Sequence, residues 1–257
     1  MAAKDRMAVL TQMMDQGVIP VFYHPDVEVC KKVIQACANG GAKCIEFTNR
    51  GDFAASVFLD VTRHFAKADP SVIMGVGSVV DAPTAGIFIA NGAKFVVGPL
   101  LNPDVAKVCN RRKIPYSPGC GSASEIGFAE ELGCEIVKVF PGGSVGGPDF
   151  VKSMLGPCPW TRIMPTGGVE GTKESITVWF KAGVAAVGIG SHLVKKEWID
   201  AGNYEAMTAQ ATQIIGWIRE ARGKGLFLGV EHPGLYPFAG ATGKDIAEWY
   251  GNVFGFK

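Results

Sequence analysis

The sequence predicts an α/β fold: a closed (β/α)8 TIM barrel, preceded by one helix and followed by a short C-terminal extension. Between residues 18 and 222, short apolar runs alternate with stretches of 3.6-residue periodicity. The runs number eight, and most joints between them are short. Glycine-terminated helix ends recur just before the runs, as "NGGAK", "NGAK", "ELGCE" and "KAGVA". Strict alternation favours an all-parallel sheet, and eight closely spaced units favour a ring. An open doubly wound sheet is the alternative, but no G-x-G-x-x-G follows the first strand.

The elements follow in order. "MAAKDRMAVLTQMMDQG" reads as a short amphipathic helix with Met7, Leu10 and Met14 on one side, not as a signal peptide. The expected strands are "VIPVFY" (18–23), "KCIEFT" (43–48), "VIMGVG" (72–77), "KFVVG" (94–98), "IPYSP" (114–118), "EIVKVF" (135–140), "TRIMPT" (161–166) and "AAVGIG" (185–190). Helical stretches such as "PDVEVCKKVIQACANG" and "SASEIGFAEELG" separate them. Residues 1–222 are thus expected to form one barrel domain, and 223–257 a separate extension.

The bulk numbers narrow the function. The 257 residues carry a formal net charge of +1, 47% apolar and 19% charged residues, so no field favours nucleic acid or an anionic membrane. No apolar run is long enough to span a bilayer. Seven scattered cysteines with no C-x-x-C pair suggest a reducing, cytoplasmic setting without disulfides or structural zinc. Cys120, expected near a loop, reads as a tolerated small residue. The four histidines show no metal-ligand spacing; His192, beside a glycine turn, reads more simply as a surface residue.

Chemistry in such a barrel sits at the C-terminal strand ends. Lys138 alternates with Ile136 and Phe140 on one side of its strand, with Val137 and Val139 on the other. An inward lysine there is desolvated, which lowers its pKa and yields a nucleophilic amine able to form a Schiff base. A lysine snorkelling from a strand edge is the plainer alternative. In "CIEFTNR" Glu46, Thr48 and Arg50 share a face. A buried Glu46 has a raised pKa suited to proton transfer, and Arg50 can grip a carboxylate with two parallel hydrogen bonds. A structural Glu46–Arg50 ion pair is the alternative. Ser78, just after the third strand, can bond the same carboxylate. "PTGGV" (165–169) and "GIGSHL" (188–193) are glycine turns after the last two strands. They are expected to open helices and bind phosphate through backbone N–H groups.

These motifs together resemble the keto-deoxy-phosphogluconate and keto-hydroxyglutarate aldolases, class I pyruvate-forming enzymes. "EFTNR" is similar to the family's E-V-T-x-R, "GVGSV" to G-A-G-T-V, "KVFPGG" to K-x-F-P-A and "PTGGV" to P-T-G-G-I. The resemblance covers residues 17 to 222. It implies that Lys138 forms the Schiff base and Glu46 moves protons. It implies that Arg50 and Ser78 hold the pyruvate carboxylate, that Gly167, Gly168 and Ser191 hold the phosphate, and that Phe140 and Thr166 line the substrate site. The imine is then the electron sink, so no metal or cofactor is required. A small phosphorylated keto acid is the implied partner, and a homotrimer the implied assembly. Departures are Ser78 where threonine is usual, "FPGGSVGGPDF" for F-P-A-E-x-x-G-G, and "NRG" for L-R-T. Two competing readings stand beside this one: another β/α-barrel enzyme on a phosphorylated substrate, and an inactive sugar-phosphate binding protein.

The extension "GVEHPGLYPFAGATGKDIAEWYGNVFGFK" weakly resembles the first strand and helix of a glyoxalase-like module, in which His232 would be the metal-ligand position. A packed or subunit-contacting extension is the preferred reading over metal binding.

Overall fold

The computed structural model describes residues 5–223. The predicted extension and His232 lie outside the described residues.

Nine short strands form the inner wall: β1 (Val18–Phe22), β2 (Cys44–Thr48), β3 (Ile73–Gly77), β4 (Val96–Val97), β5 (Tyr116–Ser117), β6 (Gly119–Cys120), β7 (Val137–Val139), β8 (Ile163–Pro165) and β9 (Val187–Ile189). All pairings are parallel, in the orders β5-β4-β3-β2-β1-β9 and β6-β7-β8. The predicted fifth strand, 114–118, is replaced by β5 and β6 on either side of Pro118. A proline has no N–H for the ladder, so pairing passes from β4 on one side of it to β7 on the other. The ring closes between β8 and β9 through a parallel bridge, Thr166 to Gly188, and an Ala185 N–H donating to Ile163 O at 2.9 Å.

Among the described residues, ten helices surround or close the ring: α1 (Arg6–Gln16), α2 (Val27–Asn39), α3 (Ala54–Ala68), α4 (Ala82–Ala90), α5 (Pro103–Arg112), α6 (Ala123–Glu131), α7 (Gly147–Leu155), α8 (Lys173–Lys181), α9 (Lys196–Asp200) and α10 (Tyr204–Ala221). Most start as their sequence dictates. Asp5, Asp26, Asp81, Asn102, Ser122, Thr172 and Asn203 each accept a backbone N–H of the first turn. The exceptions are α3, α7 and α9, which lack a side-chain cap.

The core has two layers. Outward strand residues such as Ile45, Phe47, Val137 and Val139 pack against the helices. Inward residues, among them Ile19, Cys44, Ile73, Phe95, Ile136 and Met164, form a second cluster with Val9, Leu10 and Met13 of α1. The first helix therefore plugs the N-terminal end of the barrel. Its buried face is Val9, Leu10, Met13 and Gln16, not the expected Met7–Leu10–Met14 stripe; Met7 is 68% exposed. Gln16 explains the rotation. Its amide nitrogen donates to Val18 O and Cys44 O, and its amide oxygen accepts from the Lys43 and Cys44 N–H groups. A polar side chain is buried because it completes the start of β2.

Candidate active site

Opposite the plugged end lie the C-terminal strand ends, and the predicted residues gather there. Lys138 is 5% exposed and Glu46 1%. Both point inward, since their two-residue neighbours Ile136 and Cys44 belong to the interior cluster. Burial pushes the Lys138 amine below its ordinary value of 10.5; Glu46 opposes the shift and Arg50 adds to it. Burial pushes the Glu46 carboxyl up from 4.5, against the pull of Lys138 and Arg50. Burial thus disfavours the charged form of each group, while the attraction between the two opposes that shift. The Glu46 Oε2 atom is buried without a hydrogen-bond partner, an acceptor held ready in a dry site. Lys138 Nζ stands 4.8 Å from the centroid of the Phe140 ring.

Two residues that the sequence reading did not single out make this possible. A Cβ at Gly77 would fall 1.8 Å from Glu46 Oε1, so the carboxyl lies flat over bare backbone of β3. A Cβ at Gly188 would fall 2.4 Å from Thr166 Oγ1. The signal was present: a glycine inside a strand marks close approach of another group.

Arg50 and Ser78 meet at the mouth, where Arg50 Nε donates to Ser78 Oγ at 3.2 Å. Ser78 adopts φ 60, a conformation that a β-branched residue takes only under strain. Serine in place of threonine fits that backbone. Thr48, on the same face as Glu46, donates instead to Phe22 O at 3.3 Å and is part of the wall.

The glycine turns interlock. Gly142 and Gly143, after β7, donate to the carbonyls of Thr166 and Gly167 at 2.9 Å each. Gly167 and Gly168 have φ of 82 and 80, and a Cβ at Gly168 would lie 2.7 Å from Gly143 Cα. The two glycine pairs therefore pack backbone on backbone, which accounts for "FPGG" in this chain. Gly167, Gly168 and Ser191 are exposed beside the mouth. Neither turn opens a helix as expected. Helix α8 begins at Lys173, and α9, at Lys196, is a helix of five residues. Any anion here is held by the turns themselves, not by a helix dipole. Thr166 Oγ1 is buried without a partner. His192 is exposed. Cys120 lies on β6, buried, with its thiol pushed up to about 12 by desolvation, which makes it inert. Among the described residues no group of three or more His, Cys, Asp or Glu side chains is placed to hold a metal ion.

Comparison with known proteins fits this geometry. The family model described as "KDPG and KHG aldolase" matches residues 9–210. A 2-dehydro-3-deoxy-phosphogluconate aldolase of Treponema pallidum is 35% identical over 202 residues, 77% of this chain and 93% of that enzyme. The Haemophilus influenzae enzyme of the same name is 28% identical over 82% of this chain and 97% of its own. A crystal structure of KDPG aldolase from Legionella pneumophila, with pyruvate captured as a covalent carbinolamine, superposes with a TM-score of 0.72 at 27% identity, covering 81% of this chain and 97% of that one. The chain belongs to the KDPG and KHG aldolase family.

Proposed function

We propose that the protein is a class I aldolase that cleaves 2-keto-3-deoxy-6-phosphogluconate to pyruvate and glyceraldehyde 3-phosphate. It also takes 4-hydroxy-2-oxoglutarate, releasing pyruvate and glyoxylate. The observation that carries this is the buried Lys138 amine facing the buried Glu46 carboxyl inside a barrel plugged at the far end. Capture of pyruvate as a carbinolamine in the L. pneumophila relative supports it.

In this reading neutral Lys138 attacks the C2 ketone, forming a carbinolamine that loses water to give a protonated imine. The C3–C4 bond then breaks. Its electron pair moves into the imine, forming an enamine, while the C4 hydroxyl loses its proton and leaves as the aldehyde. Protonation at C3 and hydrolysis of the imine release pyruvate and restore the amine. Glu46 is the group that gives and takes protons at these steps. Arg50 and Ser78 hold the carboxylate. Phe140 and Thr166 line the middle of the site, and Gly167, Gly168 and Ser191 face the phosphate. The protein acts in the cytoplasm as a homotrimer, with residues 1–222 as the catalytic barrel.

The test is a covalent trap. Pyruvate with borohydride should add one reduced adduct, located on Lys138 by peptide mass mapping. The Lys138→Met variant should keep its fold, since methionine suits an apolar strand, and gain no mass. An unmodified parent chain after this treatment would sink the reading.

A further inference from the structure

The buried face of α8 is Ile176, Trp179 and Phe180, the spacing of one apolar stripe on a helix. Ile176 and Phe180 are purely apolar. Trp179 also carries an indole N–H, which is costly to bury without an acceptor. The side chain is 2% exposed and packed in the outer core layer, and its Nε1 donates to Gly168 O at 3.3 Å. A core residue of α8 thus reaches the glycine turn after β8, and the proposed chemistry does not use it.

That bond fixes one of two adjacent peptides. Gly167 O accepts from Gly143 N–H at 2.9 Å, and Gly168 O accepts from Trp179. A peptide unit is planar and trans, so its N–H points opposite to its carbonyl. Holding the Gly167 carbonyl therefore turns the Gly168 N–H away from Gly143. Holding the Gly168 carbonyl turns the Val169 N–H away from α8. Among the described residues neither of these two N–H groups has an acceptor. Gly167 and Gly168, at φ 82 and 80, supply little restraint of their own, because glycine is free to take many conformations. The first peptide is locked by backbone of the β7 loop, and the second by a single side chain.

We infer that Trp179 is a positioning residue for phosphate binding: its indole holds the Gly168–Val169 peptide so that the Val169 N–H joins the Gly168 N–H as a donor to the substrate phosphate. Successive backbone N–H groups turned outward make a concavity suited to an anion. This rests on the phosphate reading of the glycine turn, and the substrate preference of the parent chain tests that reading separately.

The test compares cleavage of 2-keto-3-deoxy-6-phosphogluconate with that of 4-hydroxy-2-oxoglutarate, which has no phosphate. Trp179→Phe keeps an aromatic ring and removes the donor. Its kcat/KM for the phosphorylated substrate should fall about 5-fold, the size of one neutral hydrogen bond, while kcat/KM for the other stays within about 2-fold of the parent. Ile176→Val, a buried change on the same face of α8, should lower the melting temperature and leave the ratio between the two substrates parental. A second measurement needs no variant. Inorganic phosphate added to the parent chain should move the assigned Val169 amide and Trp179 indole proton signals downfield together, because both bonds belong to one peptide unit and polarise each other. Equal losses on both substrates in Trp179→Phe, a parental ratio in that variant, a shifted ratio in Ile176→Val, or a Val169 signal unmoved by phosphate overturns the inference. A parent chain with no preference for the phosphorylated substrate and no response to phosphate removes the phosphate reading itself, and the inference with it.

Discussion

Lys138 sits between two influences of opposite sign. Desolvation lowers its pKa, while the Glu46 carboxylate favours the charged ammonium and resists. Imine formation needs the neutral amine, so the trapping rate with pyruvate should rise with pH along a limb that lies below the ordinary lysine value of 10.5. Glu46→Gln removes the resisting charge. The limb should then move to still lower pH, even as the maximal rate falls about 10²- to 10⁴-fold for loss of a proton-transfer group. A pH–rate series on both proteins decides this; a limb that moves upward in Glu46→Gln contradicts the assigned electrostatics. The alternation of Ile136, Lys138 and Phe140 was legible in the sequence because a strand has a period of two. The Glu46–Gly77 contact was not, because it joins two strands whose register only the folded sheet defines.

At the scale of elements, the three helices without side-chain caps follow three of the five strands that lead into site residues; α4, after β3 and Ser78, and α8, after β8 and Thr166, keep theirs. Helix α3 follows β2 and Glu46, α7 follows β7 and Lys138, and α9 follows β9 and the last glycine turn. Helix α3 is entered through Phe53, at φ 62 and 82% exposed. Elsewhere aspartate, asparagine, serine and threonine start helices by the ordinary rule. The inward glycines belong to the same scale, since they turn strand faces into seats for side chains. Gly77→Ala places a methyl 1.8 Å from Glu46 Oε1 and must displace the carboxyl. It should lower kcat about 10²-fold, the effect of an ångström-scale misplacement, while circular dichroism stays that of the parent. Parental kcat in Gly77→Ala would mean that Glu46 is not held where the proton is needed.

For the whole molecule, the division between closed and open ends sets the function. Helix α1 fills one end with Val9, Leu10 and Met13, so substrate has one way in. The match to the H. influenzae enzyme covers 97% of that relative but 82% of this chain. A chain ending at Gly223 should accordingly keep pyruvate trapping within about 2-fold of the full chain, less than the worth of a single hydrogen bond. Loss of trapping in a truncated protein that still melts cooperatively would assign the extension a part in the site.

The sequence by itself determined the alternation of strand and helix, the glycines at helix ends, the inward lysine and glutamate, and the glycine turns. All of these are periodic or local signals, complete within a few residues. The tertiary structure decided the split of the fifth strand at Pro118, the rotation of α1 about Gln16, and the interlocking of Gly142–Gly143 with Gly167–Gly168. It also decided the seating of Glu46 on Gly77. Each of these joins segments far apart in the chain, and their contact exists only once the ring has closed and fixed the register between neighbouring strands.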